Sequence, residues 1–92
     1  MKYFKLPENK HFSCSFPIGS EIYTATVRTL ITGNRIWSVR NQEGNEIFKN
    51  LNLVTGVNYA FFSGFGENKV LKYFESNGRG YLGTEETDIS DN

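Results

Sequence analysis

The sequence predicts an all-β fold, a small antiparallel sandwich or barrel built from hairpins, and three observations carry that prediction. Apolar and polar residues alternate over several short runs, the period of strands that bury one face. Gly and Asn separate those runs at turn-like spacing. No window of ten or more residues shows helical apolar spacing free of Gly and of β-branched runs. The chain has 92 residues, enough for one modest core, and its hydrophobic content of 38% includes aromatics at 15% of all residues. Such a core depends on a few large rings, which favour strands.

Taken in order, HFSCSFPI (residues 11–18) alternates Phe12, Cys14, Phe16 and Ile18 against His11, Ser13, Ser15 and Pro17. EIYTATVRTLI repeats the pattern, with Tyr23, Ala25, Val27 and Ile31 on the inner face. Gly33 and Asn34 then mark a hairpin. Its return strand, RIWSVRN, directs Trp37 and Val39 inward and Ile36, Ser38 and Arg40 outward. QEGN, around Gly44, turns the chain into EIFKNLNLV, and Asn77-Gly78 with Gly80 marks a last turn before YLG. Between them, VNYAFF and KVLKYF place large side chains on both faces. That is expected of a central hairpin, joined by GFGEN, whose second face a partner covers.

From this reading Trp37, Phe12, Phe16, Tyr23 and Val27 form the core, and Phe61, Phe62, Phe65 and Tyr81 are interface candidates. Phe65, between Gly64 and Gly66, is the aromatic hardest to place inside a monomer. The first 83 residues hold all ten Lys and Arg but only six Glu, and Glu85, Glu86, Asp88 and Asp91 cancel the difference. Residues 1–83 are therefore read as a single β domain and residues 84–92 as an acidic, flexible tail.

Catalysis finds little in the chain. Cys14 is the single cysteine and His11 the single histidine, too few for a disulfide or a four-ligand zinc site. Three residues apart on one strand, they point to opposite faces. GRGYLG (78–83) matches the dinucleotide fingerprint GxGxxG, but the acidic residue that follows about 20 positions later has no place in the sequence. No carboxylate pair suggests general acid–base work. The expectation is a protein that is not an enzyme and has no cofactor or metal. The N-terminal lysines precede no apolar run and no stretch approaches spanning length, so no membrane partner is expected. Nucleic acid is the rival partner. Arg35, Arg40, Lys69, Lys72 and Tyr73, with Tyr81 nearby, are candidates for a single-strand-binding face on a small barrel, with the acidic tail as an autoinhibitor.

The features between Leu6 and Tyr59 resemble the small bacteriophage baseplate plug family of cyanophage-type contractile tails. The likeness runs through LPENKHFSCSF, where a proline and a polar turn precede an alternating strand. It continues through GSEIYTATVRTLITGNRIWSVRNQEGNEIFKNLNLVTG, a long strand, a hairpin, a Trp strand, a turn with Gly and a leucine-rich segment. Its motif elements are Trp37, Asn41, Gly44, Leu53 and Gly56. The resemblance implies a non-enzymatic virion component on the central tail axis, assembled in the host cytoplasm. Its implied partners are further copies of itself and tail hub or baseplate proteins.

Overall fold

The computed structural model describes residues 1–61, 65 and 68–86. Among them are β1 (Lys2–Lys5), β2 (His11–Ile18), β3 (Glu21–Thr29), β4 (Arg35–Asn41), β5 (Glu46–Asn52), β6 (Lys69–Ser76) and β7 (Arg79–Glu86), with one 3-10 turn at Tyr59–Phe61. The strands form two antiparallel sheets, β2-β3-β4-β5 and β1-β7-β6. The fold is thus the all-β sandwich that the alternation predicts.

The larger sheet follows the hairpins in sequence order. Phe16 faces Tyr23 and Val27 faces Trp37, so one register carries the apolar set of three strands to one side. Phe16, Ile18, Tyr23, Ala25, Val27, Trp37 and Val39 are buried there, and Phe12 packs half-buried at the margin. Ile31 does not continue the face, because β3 ends at Thr29 and Ile31 stands fully exposed in the turn. Asn41 organises the β4–β5 turn, its Oδ1 accepting from the N–H groups of Glu43 at 3.0 Å and Asn45 at 2.9 Å. β5 has a bulge: Trp37 faces Leu51 and Val39 faces Phe48, with Asn50 at φ 56°.

The smaller sheet is less local. Asn77 and Gly78, at φ 54° and 77°, form the two-residue hairpin turn between β6 and β7, and both need the left-handed region that their types tolerate. β7 is the middle strand, and β1, from the opposite end of the chain, completes the sheet. Thr84, Glu85 and Glu86 belong to β7, which moves the start of the expected tail past residue 86. Residues 87–92 lie outside the described residues.

Three further expectations change here. VNYAFF is not a strand, since Tyr59–Phe61 is a 3-10 turn. Asn58 causes this locally, as its Oδ1 accepts from Ala60 N–H and from Leu71 N–H, both at 3.0 Å. The turn puts Tyr59 edge-on against Trp37, with ring centres 4.9 Å apart. β6 in turn is an edge strand, not a central one, and residues 55–60 run along its free side. Most of GFGEN lies outside the described residues, but Phe65 does not. It is 2% exposed, with its ring 5.0 Å from Tyr23 and 6.2 Å from Phe48. Phe65 is therefore a core residue, because it fills the space between the two sheets at the end where Tyr23 lies.

Candidate functional site

The two sheets present very different outer faces. On the four-stranded sheet the outer face is mixed: Ser13 pairs with Thr26 and Ser15 with Thr24, each at 3.1 Å, and Ile22, Arg28, Ile36 and Arg40 share the face with them. On β1-β7-β6 the outer positions are Tyr3 and Lys5, Tyr81, Gly83 and Glu85, and Val70, Lys72 and Phe74. Tyr3 is 62% exposed and meets Phe74 edge-on, with ring centres 5.9 Å apart.

Gly83 explains how the rings gather. A Cβ at this position would lie 2.6 Å from Met1 Sδ, 2.9 Å from Phe74 Cε2 and 3.2 Å from Tyr3 Cε1. The absent side chain leaves the space into which Met1 and Tyr3 converge from the β1 side and Phe74 from the β6 side. Tyr81 lies two positions along β7, facing Lys5 on one side and Phe74 on the other. Lys5 and Lys72 border this aromatic patch, and neither has an ion pair among the described residues.

Backbone pairing singles out one edge beside the patch. Leu6 N–H donates to Gly80 carbonyl at 2.9 Å, so Lys2, Phe4 and Leu6 bond toward β7. The N–H and C=O groups of Tyr3 and Lys5 therefore point away from the sheet. The β6 edge is closed by comparison: Leu71 N–H donates to Asn58 and Tyr73 carbonyl accepts from Gly56 N–H at 2.9 Å. β2 has Pro17 near its end, and Thr84 Oγ1 donates to the Pro17 carbonyl at 3.3 Å. Among the described residues, the β1 edge runs beside the exposed Tyr3 and the half-buried Phe74 and Tyr81.

The residues named from the sequence divide sharply. Tyr81 belongs to the patch. Phe61 is 85% exposed but sits in the 3-10 turn, and Phe62 lies outside the described residues. Phe65 is core, as described above. The nucleic-acid set does not form one face. Tyr73 is 2% exposed and packs inward, its hydroxyl donating to Glu75 at 2.7 Å. Lys69 is bound to Glu21 at 3.2 Å and to the Tyr23 hydroxyl at 2.8 Å. Arg40 lies on the outer face of the other sheet, Arg35 at the start of β4, and only Lys72 borders the aromatic patch.

Electrostatics agree with that division. Burial raises the Tyr73 phenol to about 12, helped by the adjacent Glu75 carboxylate. The Tyr23 phenol is likewise raised by burial. For Lys69, burial would lower the ammonium, but bonds to Tyr23 and Glu21 outweigh it and hold the group above its usual value. Glu21 is lowered by its bonds to Tyr23 and Lys69. The Glu21–Tyr23–Lys69 cluster ties β3 of one sheet to β6 of the other. A cleft of about 440 Å³ includes Arg35, Arg79 and Glu8, where Arg79 Nη2 lies 3.3 Å from Glu8 Oε2. No group of three or more His, Cys, Asp or Glu side chains could hold a metal ion among the described residues. No helix among them is long and apolar enough to cross a membrane.

Met1, Tyr3, Lys5 and Phe74 are the surface residues that sequence reasoning missed. The local signal was KYFK, two adjacent aromatics with lysine at each end, too short and without the alternation that would identify a strand by itself. Comparison with family models, with curated proteins and with solved structures finds no match for the chain.

Proposed function

We propose that this chain is a non-enzymatic structural protein of a phage tail baseplate, a plug-like component that works by contacts with further copies and with tail hub proteins. The observation that carries the reading is the β1 edge, unpaired among the described residues, beside the patch of Tyr3, Phe74 and Tyr81. Unpaired strand edges template pairing with another chain, and exposed aromatics supply most of the energy at interfaces. The paired hydroxyls on the outer face of the other sheet, Ser13 with Thr26 and Ser15 with Thr24, contrast with these rings. The plug resemblance between Leu6 and Tyr59 supplies the biological setting.

The test is mass by light scattering over a concentration series, together with a search for the chain in purified tails. Self-association or capture by a hub protein, weakened by Tyr3→Ser, is the expected result. A strictly monomeric species that binds no hub protein, with no copy in tails, would overturn the proposal. A second reading, binding of a single nucleic-acid strand, is favoured only by Lys5 and Lys72 at the border of the rings. It requires binding that weakens steeply with salt and is lost in the same Tyr3→Ser variant.

A further inference from the structure

We infer that the occupant of the β1 edge is the acidic segment 87–92 of a second copy, added as a parallel strand. This deepens the assembly reading and rests on it. The first argument is charge. β1 places Lys2 and Lys5 on an edge strand, both exposed and without an ion pair among the described residues. Edge lysines oppose pairing with a like strand, so β1 against β1 of another copy would bring four ammonium groups together. An acidic strand reverses that sign.

The second argument is register. TDISDN, run parallel to β1, sets Asp88 beside Lys2, Ile89 beside Tyr3 and Asp91 beside Lys5. Alternation then lays the segment's one apolar side chain on the same face as the Tyr3–Phe74 pair. An antiparallel run with Ile89 kept beside Tyr3 instead puts Asp88 beside Phe4 and Asp91 beside Met1. Only the parallel arrangement matches both charges and the apolar residue at once.

The third argument is reach, which makes the contact intermolecular. Thr84 faces Lys2, so Glu86 lies two residues beyond the level of Lys2 along β7, about 7 Å. The far side of β1 is two strand spacings from β7, roughly 10 Å. Asp88 of the same chain would have to cover about 12 Å from Glu86, while two residues span at most about 7 Å. The segment therefore cannot occupy this register in its own chain. Donation from one copy to the next is head-to-tail, a geometry that closes into a ring or extends as a filament.

The experiment is a charge swap in the full chain. Asp88→Lys/Asp91→Lys and Lys2→Glu/Lys5→Glu are each expected to weaken self-association at least about tenfold by light scattering. Their equimolar mixture should recover it, because each variant's segment then matches the other's edge. Thermal unfolding checks that both variants keep the fold. If wild type associates but either variant does so equally well, or the mixture fails to recover, this inference falls and the assembly reading stands. If wild type is monomeric at every concentration, both fall. Binding of a single-stranded oligonucleotide by monomeric wild type, lost in Lys2→Glu/Lys5→Glu, would assign the face to nucleic acid and overturn the inference as well.

Discussion

Replacing Phe65 by Ala should cost the fold far more than replacing its near neighbour Phe61. Phe65 is 2% exposed, with its ring against Tyr23 at 5.0 Å and Phe48 at 6.2 Å, whereas Phe61 is 85% exposed. A buried Phe→Ala change removes the ring's transfer free energy and leaves a cavity, about 3–5 kcal/mol in all. A domain of 92 residues has a total stability of roughly 5–14 kcal/mol, so Phe65→Ala removes about a fifth of it or more. Phe61→Ala should stay within about 0.5 kcal/mol of wild type. Urea unfolding followed by tryptophan fluorescence reads both, since Trp37 is the single tryptophan and its ring centre lies 5.3 Å from that of Phe48. Both midpoints should be compared at constant m, so that stability alone is being read. The reasoning is refuted if Phe65→Ala unfolds within about 1 kcal/mol of wild type, or if Phe61→Ala is the more destabilised of the two.

Gly80 and Gly83 lie on opposite faces of β7 and should separate stability from association. Gly80→Ala presses a Cβ to 2.9 Å from Cε1 of the buried Tyr73 and should cost about 1–3 kcal/mol in urea unfolding. Gly83→Ala instead displaces atoms of the exposed Met1 and Tyr3 and the half-buried Phe74, so light scattering should show weaker association with a smaller loss of stability. Asn58→Ala leaves the N–H groups of Ala60 and Leu71 without their common acceptor, a loss of about 1–3 kcal/mol. Protection of the Leu71 amide from hydrogen exchange should fall in that variant. Alkali should destabilise the fold through Tyr73, whose folded pKa of about 12 exceeds the ordinary phenol value of about 10. The folded state keeps a proton that the unfolded state loses, so this contribution is intact below about pH 10 and is lost as pH rises toward 12. The ceiling is about 3 kcal/mol, and solvent screening near the hydroxyl reduces it to about 1–2. Tyr73→Phe should show a shallower alkaline loss in pH-dependent urea midpoints.

How much of this architecture the sequence reveals depends on how far apart the pairing partners lie. β2, β3 and β4 are legible because each alternates cleanly and each follows the last through a short turn, so the pattern of one strand predicts the face of the next. That logic assigns Trp37, Phe16, Tyr23 and Val27 to the core, where they lie. VNYAFF defeats it, because an unbroken apolar run has no period, and the deciding group is the polar Asn58, whose second partner lies 13 residues away at Leu71. Phe65 misleads for a related reason. Flanking glycines suggest an exposed tip, yet what buries the ring is Tyr23 from β3 and Phe48 from β5, on a sheet to which residue 65 does not belong.

The candidate surface lies at the far end of the same scale. Tyr3 meets Phe74 only because β1 and β6 flank β7, a pairing between the two ends of the chain that no local window contains. The residue that permits the meeting, Gly83, reads in sequence as one more turn glycine within GRGYLG. In the fold it is a strand residue whose missing side chain makes room for three others. KYFK taken alone is a lysine-rich terminus, and beside β7 it becomes an edge with two cations and an exposed ring. A surface assembled from residues 1–5, 70–74 and 81–85 has to be found from strand order first. Its charge then points back to the sequence, where TDISDN supplies the acidic spacing that matches Lys2 and Lys5.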